Sequence, residues 1–166
     1  PTAVIVNEFG ALGIDGRLIR RATGGVVELT NGCVCCEVRG DLATAVRRLL
    51  KQRDRWIRPV RFERIWIELS GMARPGPVVQ TFQVQPDLVR RCEWQGVVTL
   101  VHCEYVREQM EQFDEAVEQV AVADHIVMNH RDRVDGSEVE DIRRFLSSIN
   151  PLALLSETQR ANMSVD

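Results

Sequence analysis

Short apolar runs that alternate with helix-patterned stretches are the feature that most limits the folds open to this chain. "TAVIVN" (2–7), "RIWIEL" (64–69), "GVVTLVHC" (96–103) and "HIVMN" (125–129) are brief and rich in β-branched residues, so each reads as a buried strand. "GVVEL" (25–29) and "LALL" (152–155) are candidates for two more strands. Between them, "GDLATAVRRLLKQR" (40–53) sets Leu42, Val46, Leu49 and Leu50 on one helical face, with Asp41 placed to cap. Residues 78–91 read as helical in part, with Pro86 as an interruption, and a polar helix runs from the third strand to about residue 121. "DGSEVEDIRRFLSSI" opens with Ser137 and Glu140 in capping-box spacing and carries Val139, Ile142, Phe145, Leu146 and Ile149 at helical intervals. Strands that are continuous apolar runs, separated by helices, predict an α/β fold: a mostly parallel sheet covered by helices on both faces. With 166 residues, 45% of them hydrophobic, and no repeat or low-complexity linker, the expectation is one domain over 1–166.

Charge narrows the partners. The 21 basic and 24 acidic residues are interleaved, which argues against nucleic acid or an anionic membrane as the main partner. No apolar run approaches the roughly 20 residues that span a bilayer, and none resembles a signal segment. Five cysteines without an export signal point to a cytoplasmic setting, where clustered thiols serve as metal ligands or redox groups. Three of them, Cys33, Cys35 and Cys36, fall in "NGCVCC" (31–36). Three thiolates with one N or O ligand suit tetrahedral Zn²⁺, and soft thiolates also accept Cu(I); the bland reading is small buried apolar residues. Cys92 and Cys103 read as core, His125 as structural, and Trp56 and Trp66 as core or surface packing. The Arg-rich stretch 47–55 reads as a solvated face rather than a docking surface.

In open parallel sheets ligands bind beyond the carboxyl ends of the strands. Those ends hold Asn7 and Glu8, then Glu68 to Gly71, then His102 and Cys103, then "NHRD" (129–132). Asn129 and Asp132 suit guanine: the amide bonds the base edge, and the carboxylate accepts the ring N–H and the exocyclic amine together. The bland alternative is a turn in which the Asp makes a local backbone bond.

"AVIVNEFGALGIDGRLI", "VVELTNGCVCCEVRGDL", "IELSGMARPGPV", "GVVTLVHC" and "VAVADHIVMNHRDRVD" resemble, in order and spacing, the CobW-type metallochaperone GTPases, relatives of the urease- and hydrogenase-maturation GTPases. The resemblance covers nearly the whole chain, and the Cys-x-Cys-Cys segment is its most specific mark. It implies a P-loop GTPase-like fold of the SIMIBI type, with GTP, Mg²⁺ and Zn²⁺ or Co²⁺ as ligands. It also implies a partner that is a client metalloprotein or a cobalamin-pathway enzyme, and leaves a homodimer open. By the same resemblance, Asn129 and Asp132 read guanine. Glu68 acts on Mg²⁺ through water, and Gly71 presents its backbone N–H to the γ-phosphate. Cys33, Cys35 and Cys36 bind metal, with Glu8 as a candidate further ligand or switch residue and His102 as a further candidate ligand.

Three departures stand out. The family's phosphate loop, G-x-x-x-x-G-K-[ST], is expected upstream of "AVIVNEFG" and does not occur in these 166 residues. The expectation is therefore an N-terminally incomplete domain, without its phosphate-loop strand and helix and a poor hydrolase of GTP by itself. His130 stands where the base motif has Lys, and Tyr105 where the family often has His. Two rival readings are a non-hydrolysing metal-binding module and a cysteine-based redox protein.

Overall fold

The computed structural model describes residues 1–7, 26–29, 38–57 and 59–162. Glu8, Cys33, Cys35, Cys36 and the loop expected at "GALGIDGRLI" lie outside the described residues. The chain divides into two compact units, Pro1–Glu93 and Trp94–Asp166.

In the first unit a three-stranded parallel sheet runs in the order β2-β1-β3, with β1 at Thr2–Asn7, β2 at Val26–Leu29 and β3 at Arg64–Leu69. Helix α1 (Val38–Arg53) packs on α2 (Gly76–Val84), and α3 (Pro86–Val89) follows after a one-residue break. Pro86 occupies the first turn of α3, where its missing N–H costs nothing. The core gathers Ala3 and Ile5 of β1, Leu42, Val46, Leu49 and Leu50 of α1, then Phe62, Val78 and Leu88. The four α1 residues are those the 3.6-residue spacing selects. The helix starts at Val38, so Asp41 lies inside its first turn and is not the cap.

In the second unit β4 (Val98–His102), β5 (His125–Asn129) and β6 (Leu154–Glu157) form another parallel sheet in that order. The polar stretch after β4 makes two helices, α4 (Val106–Gln112) and α5 (Asp114–Ala121), parted at Phe113, whose backbone is extended. Helix α6 (Gly136–Ile149) buries Val139, Ile142 and Leu146 against Ile126, Met128 and Val120. Its cap is one device earlier than the spacing predicts. Asp135 Oδ1 accepts from the Ser137 and Glu138 backbone N–H groups, and Glu138 reaches back to Asp135 N, so the box is Asp135 with Glu138 and not Ser137 with Glu140. The last strand likewise begins at Leu154 rather than Leu152.

Among the strands whose side chains are described, the middle ones are buried in consecutive residues. β5 buries Ile126, Val127 and Met128 in succession, and β1 buries Ala3, Ile5 and Val6. β3 and β4, at the ends of their sheets, alternate: Trp66, Val98 and Leu100 face out while Thr99 and Val101 face in. Gly96 precedes β4 at φ 130, and a Cβ there would come within 2.7 Å of Asp124 Oδ2, the atom that holds Val97 N. No described helix is long and apolar enough to cross a membrane.

Candidate functional site

The carboxyl end of the β4-β5-β6 sheet brings three of the expected residues together. Asn129 ends β5 and pairs in register with His102 at the end of β4. Asp132 follows in a short 3₁₀ turn, Arg131–Arg133. Asn129 Oδ1 accepts two backbone N–H groups, His130 at 2.9 Å and Ala161 at 3.0 Å. The acceptor of the amide is thus spent on the fold, and its NH₂ group has no hydrogen bond among the described residues. The Asp132 carboxylate is exposed and makes no local bond among the described residues, which removes the reading of it as a turn-forming Asp.

His130 takes the left-handed conformation, φ 59, which costs a non-Gly residue about 1 kcal/mol. The bond to Asn129 Oδ1 and a ring stack on His102, with centroids 4.2 Å apart and planes at 23°, hold it there. The imidazole thereby turns toward His102, an arrangement that finding His in place of Lys after Asn129 did not announce. Tyr105 lies on the same ring at 4.6 Å. His102 Nδ1 is buried without a hydrogen-bond partner, and burial first, then His130 and Arg133, push the imidazole below its ordinary pKa. A neutral ring with an open nitrogen has the chemistry of a metal ligand. Yet no three His, Cys, Asp or Glu side chains converge as a metal site among the described residues, so co-ligands for His102 are not found there.

Sequence reading missed the segment after β6. Thr158 N donates to Met128 O at 2.9 Å, Arg131 N donates to Thr158 O at 3.3 Å, and Arg160 and Ala161 both adopt positive φ. The result lays 158–162 beside residues 128–131, with Ala161 tied to Asn129. "TQRAN" contains no glycine, so nothing in the letters marked a left-handed turn.

In the first unit Glu68 is exposed on β3, opposite Val6 in register, and Ser70 to Ala73 turn directly after it through an Ala73 N–H to Ser70 O bond of 2.9 Å. Gly71 is exposed in that turn, and a Cβ on it would meet nothing within 4 Å. The remaining thiols are structural. Cys103 is buried in the second core and Cys92 packs against the first, and burial raises both pKa values, the opposite of an activated thiol. His125 bonds Ser156 Oγ across β5 and β6 at 2.8 Å.

A family model described as "CobW/HypB/UreG, nucleotide-binding domain" matches residues 1–156. The chain is 40% identical over 151 residues to the zinc chaperone YjiA of Escherichia coli, covering 91% of this chain and 46% of the relative. It is 33% identical to the zinc chaperone CobW of Pseudomonas aeruginosa, covering 92% of this chain and 47% of that protein. Identity is 31% to the zinc-regulated GTPase metalloprotein activator 1 of Schizosaccharomyces pombe, over 94% of this chain and 38% of that one. The chain therefore spans about half or less of the length of these relatives. Among solved structures, the Zn(II)-bound YjiA GTPase of Escherichia coli aligns over 99% of this chain and 59% of its own, at TM-score 0.67 and 27% identity. A Zn(II)-bound triple mutant of YjiA aligns at TM-score 0.70 and 28% identity, over 99% of this chain and 50% of its own.

Proposed function

Because the chain belongs to the CobW/HypB/UreG family of nucleotide-binding domains, we propose that it is the guanine-reading part of a GTP-dependent zinc chaperone, a protein that delivers its metal to a client. The observation that carries the reading is the pair at the end of β5: an Asn129 amide fixed through its oxygen, and an Asp132 carboxylate three residues on, with neither the amide NH₂ nor the carboxylate hydrogen-bonded among the described residues. The amide would donate to guanine O6 or N7, while the carboxylate accepts N1–H and the exocyclic N–H. Adenine offers an acceptor at N1, so the carboxylate would face it unpaired, a cost of about 1–3 kcal/mol that disfavours the wrong base roughly 10- to 100-fold.

Glu68 is an oxygen donor of the kind Mg²⁺ takes through water, and no hydrogen bond or ion pair engages it among the described residues. Bound Mg²⁺ would neutralise charge that develops on the phosphates. Gly71 would turn its N–H toward the terminal phosphate from the loop that follows. Cargo zinc would sit on Cys33, Cys35 and Cys36 with Glu8 as the oxygen ligand. Support for that set is thiolate chemistry and the zinc-chaperone relatives. Zinc is favoured over cobalt on the same ground.

Backbone NMR of this chain with GDP or ADP tests base reading directly. GDP shifts the amides of residues 129–132 and Ala161, ADP leaves them in place, and Asp132→Asn weakens GDP at least about tenfold while gaining for the xanthine analogue, whose O2 accepts from the new amide. Equal shifts with both nucleotides would falsify the assignment.

A further inference from the structure

The turn between α1 and β3 is built to be held out into solvent. Asp54 N donates to Leu50 O at 3.1 Å and Val60 N to Gln52 O at 3.2 Å, which clips both ends of the turn to the end of α1. Phe62 is buried in the core just beyond, with the Arg53 guanidinium 5.8 Å over its ring. Between these anchors Trp56 is 98% exposed and Ile57 74% exposed. Isolated surface apolar residues are ordinary, but two large ones at the tip of a pinned turn are not.

The charge around the tip is equally lopsided. Residues 47–64 hold eight basic and two acidic side chains, +6 within a chain of −3, so the rest of the sequence carries −9. Some of these cations are engaged: Arg47 with Asp87 and Gln85, and Arg53, together with Arg91, with Asp54. Arg55 and Arg61, on either side of the tip, are exposed and make no hydrogen bond or ion pair among the described residues.

We infer that the Arg55–Arg61 turn is a docking surface for an acidic segment of a partner protein, with Trp56 and Ile57 seated against an apolar side chain of that segment. Trp and Arg are the residues that dominate protein interfaces, and flanking charge sets the partner's sign. A phosphate backbone or an anionic bilayer extends well beyond one turn and would meet the net-negative remainder of the chain, whereas a short acidic segment meets only the positive patch. The inference stands apart from base reading and zinc binding, since it uses none of their residues.

Fluorescence anisotropy with the full chain tests it. The probe is a labelled peptide of alternating Asp and Glu with central Leu and Phe. Its competitors are the same peptide with Lys for every acid, vesicles containing phosphatidylserine, and single-stranded DNA. The acidic peptide binds, high salt weakens it, and Trp56→Ala/Ile57→Ala and Arg55→Glu/Arg61→Glu each cost about tenfold or more. Both pairs are exposed, so circular-dichroism melting stays within a degree or two of the parent, which separates lost binding from lost fold. The inference fails if the acidic peptide does not bind, or binds both variants as well as the parent. It also fails if vesicles or DNA bind tighter than the peptide, or if sedimentation shows a self-associated chain that Trp56→Ala/Ile57→Ala dissociates.

Discussion

Asn150 gives the sharpest stability prediction. It follows α6 directly, is buried, and its Nδ2 faces three main-chain carbonyls: Val120 at 2.9 Å, Ala121 at 3.2 Å and Ala123 at 2.8 Å. These carbonyls end α5 and begin the link to β5, and of the three only Val120 O also accepts a backbone N–H among the described residues, from Val122 and from Ala123 at 3.3 Å. On the other side Oδ1 accepts Leu152 N and Ala153 N, both at 3.2 Å. One amide thus ties α5, α6 and the approach to β6. Counting the two short bonds at about 1 kcal/mol each and the three long ones together as about one more, Asn150→Ala should cost about 3 kcal/mol. That is a large fraction of the 5–15 kcal/mol by which domains are typically stable. Urea unfolding followed by far-ultraviolet circular dichroism measures it. Asn150→Asp adds a test of sign, because it keeps the acceptor but sets a carboxylate against three carbonyl oxygens. The folded-state pKa of that carboxyl is raised, so the folded form binds more protons and the variant gains stability as pH falls from 7. A loss below about 1 kcal/mol in Asn150→Ala, or a variant Asn150→Asp as stable as the parent at neutral pH, would mean that the Asn150 amide does not tie these elements together.

Other outcomes follow from the same geometry. Leu49 is 0% exposed in the first core, so Leu49→Ala should cost about 2–5 kcal/mol by urea unfolding, whereas the exposed Trp56→Ala change should be near neutral. Arg47 holds the Asp87 carboxyl down to about 2 through a hydrogen bond from Nε, so this pair's stabilisation is present above the unfolded value of about 3.9 and is lost as pH falls from about 4 toward 2. Carbon-detected titration of Asp87 should show the low midpoint, and Arg47→Met should return it to the ordinary range.

Legibility followed the physics of each signal. Apolar runs and 3.6-residue spacing are local, and they marked β1, β3, β5, α1 and α6 within a residue or two. Caps were harder, since Asp135 and Ser137 both suit the role and only backbone geometry decides between them. Coverage of the strands could not be read, because being in the middle or at the end of a sheet is set by pairing and not by composition. At the site, Asn129 and Asp132 were visible as a pattern. The stack of His130 on His102 and the tie from Asn129 to Ala161 join residues 28 and 32 apart, contacts that no spacing rule encodes.

If a zinc-binding thiol cluster belongs to a guanine-reading domain, as proposed above, a Zn²⁺ titration against a competing chromophoric chelator will detect it. Run on this chain and on Cys35→Ser/Cys36→Ser, it should give tight one-to-one binding that the substitution weakens by at least about a hundredfold, as loss of two thiolates from a four-ligand site requires. Equal binding by parent and variant would contradict the proposal.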